Sequence, residues 1–168
     1  MTCSRSSPRQ QRHSQMNDII RRAVKRPQIP VVEEPAGLLR SDAERPGVAT
    51  PKMPATEKWM SWDIAIPDTF SKSHLSSTAA EQGAAGRQAA DNKTAKYQGL
   101  EKTQIFFPVA IDTAGSWGQQ STELVQEIGR HTTVITEDSR ETTFLFQRLS
   151  IALQTEMRSH SISTFRQD

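Results

Sequence analysis

Residues 58–66 read K-W-M-S-W-D-I-A-I, and the fold of the chain turns on how this stretch is read. Aromatic and branched residues dominate it and alternate loosely with small or polar ones, which favours a β-strand ended by Pro67. A strand here puts Asp63 between Trp62 and Ile64. A carboxylate in that position either reaches the surface at a strand end or is buried beside a partner charge or a metal. Left unpaired inside, it would be costly.

Working outward, residues 104–112 (QIFFPVAID) form a continuous apolar run, as expected of a strand covered on both faces. Pro108 within it argues for an edge or bulge position. Residues 71–99, rich in Ala, Gln and Lys, read as helix, with Gly83 and Gly86 leaving either one weakened helix or two pieces. After a turn at A-G-S-W-G, residues 121–135 carry Leu124, Val125 and Ile128 at helical spacing. A second helix is expected over 142–157, through Phe144, Leu145, Leu149 and Leu153.

Upstream, Met16, Ile19, Ile20, Ala23 and Val24 make an apolar helical stripe over residues 14–25, with Asn17 and Asp18 as caps and Pro27 as the stop. Six prolines follow, from Pro27 to Pro54, so that segment is extended or looped. It leaves room for a short strand at 28–33 and an irregular one near Val48. The order is helix, strands, helix, strand, helix, helix, without internal repeats, and predicts a small α/β or α+β domain.

The chain has 168 residues, enough for one domain with a real core. Its hydrophobic fraction is 35% and its mean hydropathy −0.63, a deficit concentrated at the ends. Residues 1–15 are polar and basic and are expected to be a disordered tail. The folded unit is expected over 16–157, and residues 158–168 as a second disordered tail. The net charge of +2 is too balanced to announce nucleic-acid binding. The cluster of Arg21, Arg22, Lys25 and Arg26 is either a phosphate-contacting patch, also legible as a weak nuclear address, or the solvated face of a helix. A single cysteine, Cys3, excludes an internal disulfide and Cys-rich zinc sites and fits a reducing compartment. The four histidines show no paired or carboxylate spacing suggesting a metal cluster. No apolar run approaches the ~18–20 residues of a membrane span, and no apolar signal-peptide core opens the chain. An intracellular protein, nuclear or cytoplasmic, is expected.

A sheet-based metal nuclease sets two carboxylates on neighbouring strand ends to hold a divalent cation, with a lysine beside them to orient the attacking water. Asp63, Asp112, Lys93 and Lys96 are the candidates for those roles. Each also has a plain structural reading: the lysines as a solvated helix face, and Asp112, next to Thr113 and Gly115, as the cap of a turn.

Residues 16–154 carry, in order, N-D-I-I-R-R-A at Asn17, G-L-L-R-S-D at Gly37, R-P at Arg45 and W-D-I-A-I-P-D-T-F at Trp62. They continue with S-H-L at Ser73, K-x-x-K-Y at Lys93, F-P-V-A-I-D-T-A-G-S-W at Phe107 and L-F-Q-R-L-S-I-A-L-Q at Leu145. This series, over roughly four-fifths of the chain, resembles the C-terminal endonuclease region of reverse-transcriptase polyproteins from LINE-type retroelements. That region belongs to the restriction-endonuclease-like superfamily, with its P-D … (D/E)-x-K signature. The resemblance implies, more narrowly, an α/β fold with a mixed sheet flanked by helices, and Mg²⁺- or Mn²⁺-dependent nicking of DNA. It makes Asp63 the second metal-binding acid and Asp112 an acid at the end of the next strand. Lys96 matches the catalytic lysine, displaced onto the following helix because Ala65 occupies its usual place, and Lys93, one turn earlier, can substitute.

Position 47 departs from the pattern: the family has R-P-D where this chain has R-P-G. One carboxylate holds a hydrated Mg²⁺ poorly, so the implied centre is degenerate. Asp42 and Glu44 lie nearby on the preceding loop. The chain contains no polymerase motif with paired Asp and no zinc knuckle, as expected of a piece of a larger element. The alternative is a non-catalytic module that retains the fold and binds nucleic acid or a protein through the basic helix.

Overall fold

A computed structural model describes residues 8–29, 31–33, 48–50, 58–100 and 104–164. Position 47, with the surrounding loop, lies outside the described residues. In chain order the elements are α1 (Pro8–Lys25), β1 (Val32–Glu33), β2 (Val48–Thr50), β3 (Trp59–Ala65), α2 (Leu75–Ala80), α3 (Ala84–Lys96), β4 (Gln104–Ala110), α4 (Gln119–Thr136) and α5 (Glu141–Thr164). The chain is thus a mixture of helix and strand, as expected.

The sheet runs β1-β2-β3-β4. Its first three strands are antiparallel neighbours, and β4 lies parallel to β3 in the register Trp59↔Gln104 to Ala65↔Ala110. A parallel pair needs a crossover, and α2 and α3 supply it. The long Ala-rich segment is two helices, broken at Gly83, whose φ of 78° is the left-handed conformation that glycine adopts freely. Pro108 stands opposite Asp63 in the ladder. β4 is the edge of the described sheet, where a missing amide donor is tolerated.

Alternation along β3 divides its side chains between two faces. Met60, Trp62 and Ile64 enter the main core, with Met16, Ile20 and Val24 of α1, Leu124, Val125 and Ile128 of α4, and Leu145 and Leu149 of α5. The buried Trp62 keeps its indole N–H satisfied by donating to Asn17 Oδ1 at 3.2 Å. Ser61, Asp63 and Ala65 take the other face, where α3 packs across β3 and β4. There the Tyr97 ring meets Phe106 with centroids 4.5 Å apart. Helices therefore cover both sides of β4, as its apolar sequence predicts.

The first and last helices run into the segments whose composition suggests tails. α1 begins at Pro8, not near residue 14, and α5 continues to Thr164 past residue 158. Proline suits the first turn of a helix, and Arg and Gln are good helix formers, so residues 8–15 extend a helix that the core already anchors at Met16. Among the described residues no helix is long and apolar enough to cross a membrane.

Candidate functional site

Asp63 is the centre of a polar cluster on the α3 face. Its side chain is 7% exposed, and both carboxylate oxygens face donors. Lys93 Nζ hydrogen-bonds and ion-pairs with Oδ2. The Tyr97 hydroxyl donates to the same oxygen at 2.9 Å. His13 Nε2 lies 3.5 Å from Oδ1. Lys93 and Tyr97 are one helical turn apart at the end of α3, so a single helix delivers both groups to one oxygen. Burial by itself pushes the Asp63 carboxyl up. The hydrogen bonds from His13, Lys93 and Tyr97, with the charge of Lys93, outweigh it and hold the group below its ordinary 3.8. The carboxylate is therefore ionised and compensated, which resolves how an acid can sit between Trp62 and Ile64.

Lys96, the expected catalytic lysine, is not on Asp63. It is exposed, and its ammonium stands 5.0 Å from the centroid of the Tyr97 ring. The contact with Asp63 is made by Lys93.

Asp112 follows the end of β4, as expected, but serves its own turn. Its backbone and side chain engage Ser116, whose N–H donates to Oδ1 at 2.8 Å. Gly115, at φ 90°, closes the turn. The other oxygen of Asp112 is buried without a hydrogen bond. Among the described residues, Asp112 makes no hydrogen bond or ion pair with Asp63, Lys93 or His13. No group of three or more His, Cys, Asp or Glu side chains is placed to hold a metal among them.

The basic residues of α1 are largely committed to acids of this chain. Arg21 and Arg22 both pair with Asp18, Arg22 Nε at 2.7 Å, and Arg26 Nη1 meets the buried Glu141 carboxylate at 2.6 Å. Lys25 is exposed.

Two members of the cluster escape sequence reasoning. Tyr97 had a local signal, its i, i+4 spacing from Lys93. His13 had none, because it lies in the stretch read as a tail and is 50 positions from Asp63. Elsewhere, on α4, His131 Nε2 meets Glu127 Oε1 at 3.0 Å, an i, i+4 imidazole–carboxylate pair. Beside the main cluster, His13, Lys93 and Ile64–Ile66 line a cavity of about 210 Å³. A larger one, about 520 Å³, lies between the turn at residues 113–117 and Ser150, Leu153 and Gln154 of α5.

No protein-family model matches the chain, and no curated protein matches it.

Proposed function

We propose that the chain is a restriction-endonuclease-like domain of retroelement origin, whose ancestral reaction is metal-dependent nicking of DNA and whose centre has lost catalytic competence. The observation that carries this reading is the ion pair between a strand carboxylate, Asp63, and a lysine on the crossover helix, Lys93. An acid on a parallel strand pair, in contact with a lysine of the helix that follows, is the core of the site the sequence resemblance implies.

The donors among the described residues do not make a Mg²⁺ centre. Mg²⁺ demands near-octahedral oxygen ligands. Asp63 offers one carboxylate, and Lys93 and Tyr97 already share one of its oxygens. Asp112 is engaged in its turn, and Gly47 has no side chain to donate. In this state Lys93 neutralises Asp63 and ties α3 to β3. The non-catalytic alternative, a binding module working through the basic helix, has less support, because Arg21, Arg22 and Arg26 are paired within the chain.

The test is plasmid nicking in Mn²⁺ by the chain as it stands, by Gly47→Asp, and by Gly47→Asp combined with Asp63→Ala. Silence is expected from the first. Nicking is expected from the second, about 10³-fold or more above background, and silence again from the third. No gain in Gly47→Asp overturns the proposed nuclease centre. Nicking by the unaltered chain that depends on Asp63 overturns the loss of competence.

A further inference from the structure

We propose that the cavity between the turn at residues 113–117 and α5 is a binding site for an adenine nucleoside. It uses no residue of the Asp63 cluster and does not depend on the nuclease reading.

At about 520 Å³ the cavity falls within the range of small-molecule sites, about 300–1,000 Å³. One wall is the turn that leaves the carboxyl end of β4, on the parallel side of the sheet. Open α/β sheets hold their ligands at that edge. This wall is well fixed. Asp112 N–H donates to the Ser116 carbonyl, Ile111 forms a bridge with Trp117, and Ala114 N–H donates to Thr69 Oγ1 at 3.2 Å. The other wall is Ser150, Leu153 and Gln154, which stand at i, i+3 and i+4 on α5 and so share one face. Phe146, one turn before Ser150, packs against Trp117 with centroids 4.9 Å apart. The indole thus ties the two walls together and is still partly exposed.

The chemistry of the lining selects the ligand. Among the described residues no charged side chain lines the cavity. It offers the Trp117 indole and Leu153 to a flat apolar surface, and the Thr113 and Ser150 hydroxyls and the Gln154 amide to polar edges. Nucleobases are held in this way, with aromatic rings stacked on the base and polar groups reading its edge. Guanine is read by Arg or Lys and cytosine by Glu or Asp, none of which lines the cavity. Gln reads adenine through two hydrogen bonds, accepting from its amino group and donating to a ring nitrogen. The two hydroxyls suit a ribose. Without a cation the lining gives a phosphate nothing to pair with, so the nucleoside is favoured over its phosphates.

Unmet hydrogen-bonding capacity at the turn points the same way. Asp112 Oδ2 and Ser116 Oγ are buried there without a hydrogen bond. Such groups call for a partner, which favours a ligand rich in N–H and O–H groups over an apolar one.

The test is calorimetric titration of the chain with adenosine, and separately with guanosine, uridine and ATP. Half-saturation by adenosine at or below about 1 mM is expected, with the other three at least about 5-fold weaker. Gln154→Leu, of similar size and at an exposed position, should weaken adenosine roughly 5–150-fold, the equivalent of one bidentate base contact. Trp117→Leu should weaken it by about 5–150-fold through lost stacking, and circular dichroism shows whether that variant keeps its fold. Oligo(dA) and oligo(dT) form a second arm. Gln154-dependent binding of oligo(dA) tighter than that of adenosine makes a base within a strand the source of the adenine. Binding no tighter makes the free nucleoside the source.

Absence of saturation by adenosine up to about 10 mM overturns the site. So does adenosine binding that Gln154→Leu leaves unchanged, or binding of uridine, guanosine or ATP as tight as that of adenosine. Gln154→Leu is the decisive variant, because an exposed side chain is replaced without disturbing the core. A failed nicking assay with Gln154-dependent adenosine binding rejects the nuclease reading alone, and the reverse pair of results rejects only the nucleoside site.

Discussion

Lys93 and Lys96 are three positions apart on one helix, yet only Lys93 shares an oxygen of Asp63 with Tyr97. Removing Lys93 leaves a nearly buried carboxylate short of its main donor. Lys93→Ala should therefore cost about 1–3 kcal/mol in urea denaturation. Lys96→Ala, at an exposed position whose ammonium stands over the Tyr97 ring, should cost under about 1 kcal/mol. Equal effects would mean that the Asp63 pair carries no special weight. The cluster also sets an acid limb. Because the folded carboxyl is held below its ordinary 3.8, its contribution is complete above the unfolded value and is lost as pH falls through the lower folded value. Stability followed from about pH 7 down to about pH 3 should fall less steeply in Asp63→Asn than in the unaltered chain. An identical slope would show that Asp63 titrates alike in both states.

Among the elements, α3 is held by what its last turn does. Its first turn starts from a left-handed glycine, and its last turn places Lys93 and Tyr97 over the sheet. The α4–α5 hairpin is tighter. A Cβ placed on Gly129 would come 2.7 Å from the Thr142 Cα, closer than real Cβ atoms approach backbone. Gly129→Ala should force the two helices apart and cost about 1–3 kcal/mol. A neutral result in thermal melting would mean that this crossing is loosely packed. The N-terminus of α5 is tied back as well: Glu141, in its first turn, meets Arg26 beyond the end of α1. Arg26, just past the basic helix, thus joins two elements.

For the whole molecule, the helices are unequally divided about the sheet. α1, α4 and α5 build the main core against Met60, Trp62 and Ile64, while α3 packs on the polar face, which His13 of α1 also reaches. Leu149 of α5 is fully buried in that core. Leu149→Ala should cost about 2–5 kcal/mol, with unfolding still a single transition by both fluorescence and circular dichroism. Separate transitions would mean that α5 and the sheet unfold independently. The candidate site sits on the thinner side, so it depends on the main core for the position of β3 and on α3 and α1 for its partners.

Periodicity and composition, which are local, were enough to place β3, β4 and the helices that follow them. Alternation over residues 58–66 and the apolar run at 104–112 leave few other readings, and Gly83 marks the break between α2 and α3. Local sequence also singled out Asp63 as an acid in need of a partner. Who that partner is was not legible. Choosing Lys93 over Lys96 depends on the rotation of α3 against the sheet, which the packing of Tyr97 on Phe106 accompanies. Composition alone likewise carries no sign of helix over residues 8–15. A polar segment has no reason to order by itself, but it extends a helix whose apolar face is buried farther along, and so brings His13 to Asp63. Pattern along the chain was thus sufficient for the elements and for the charge requiring compensation. Only the tertiary structure decided which groups compensate it, because that depends on contacts between positions 30 to 50 residues apart.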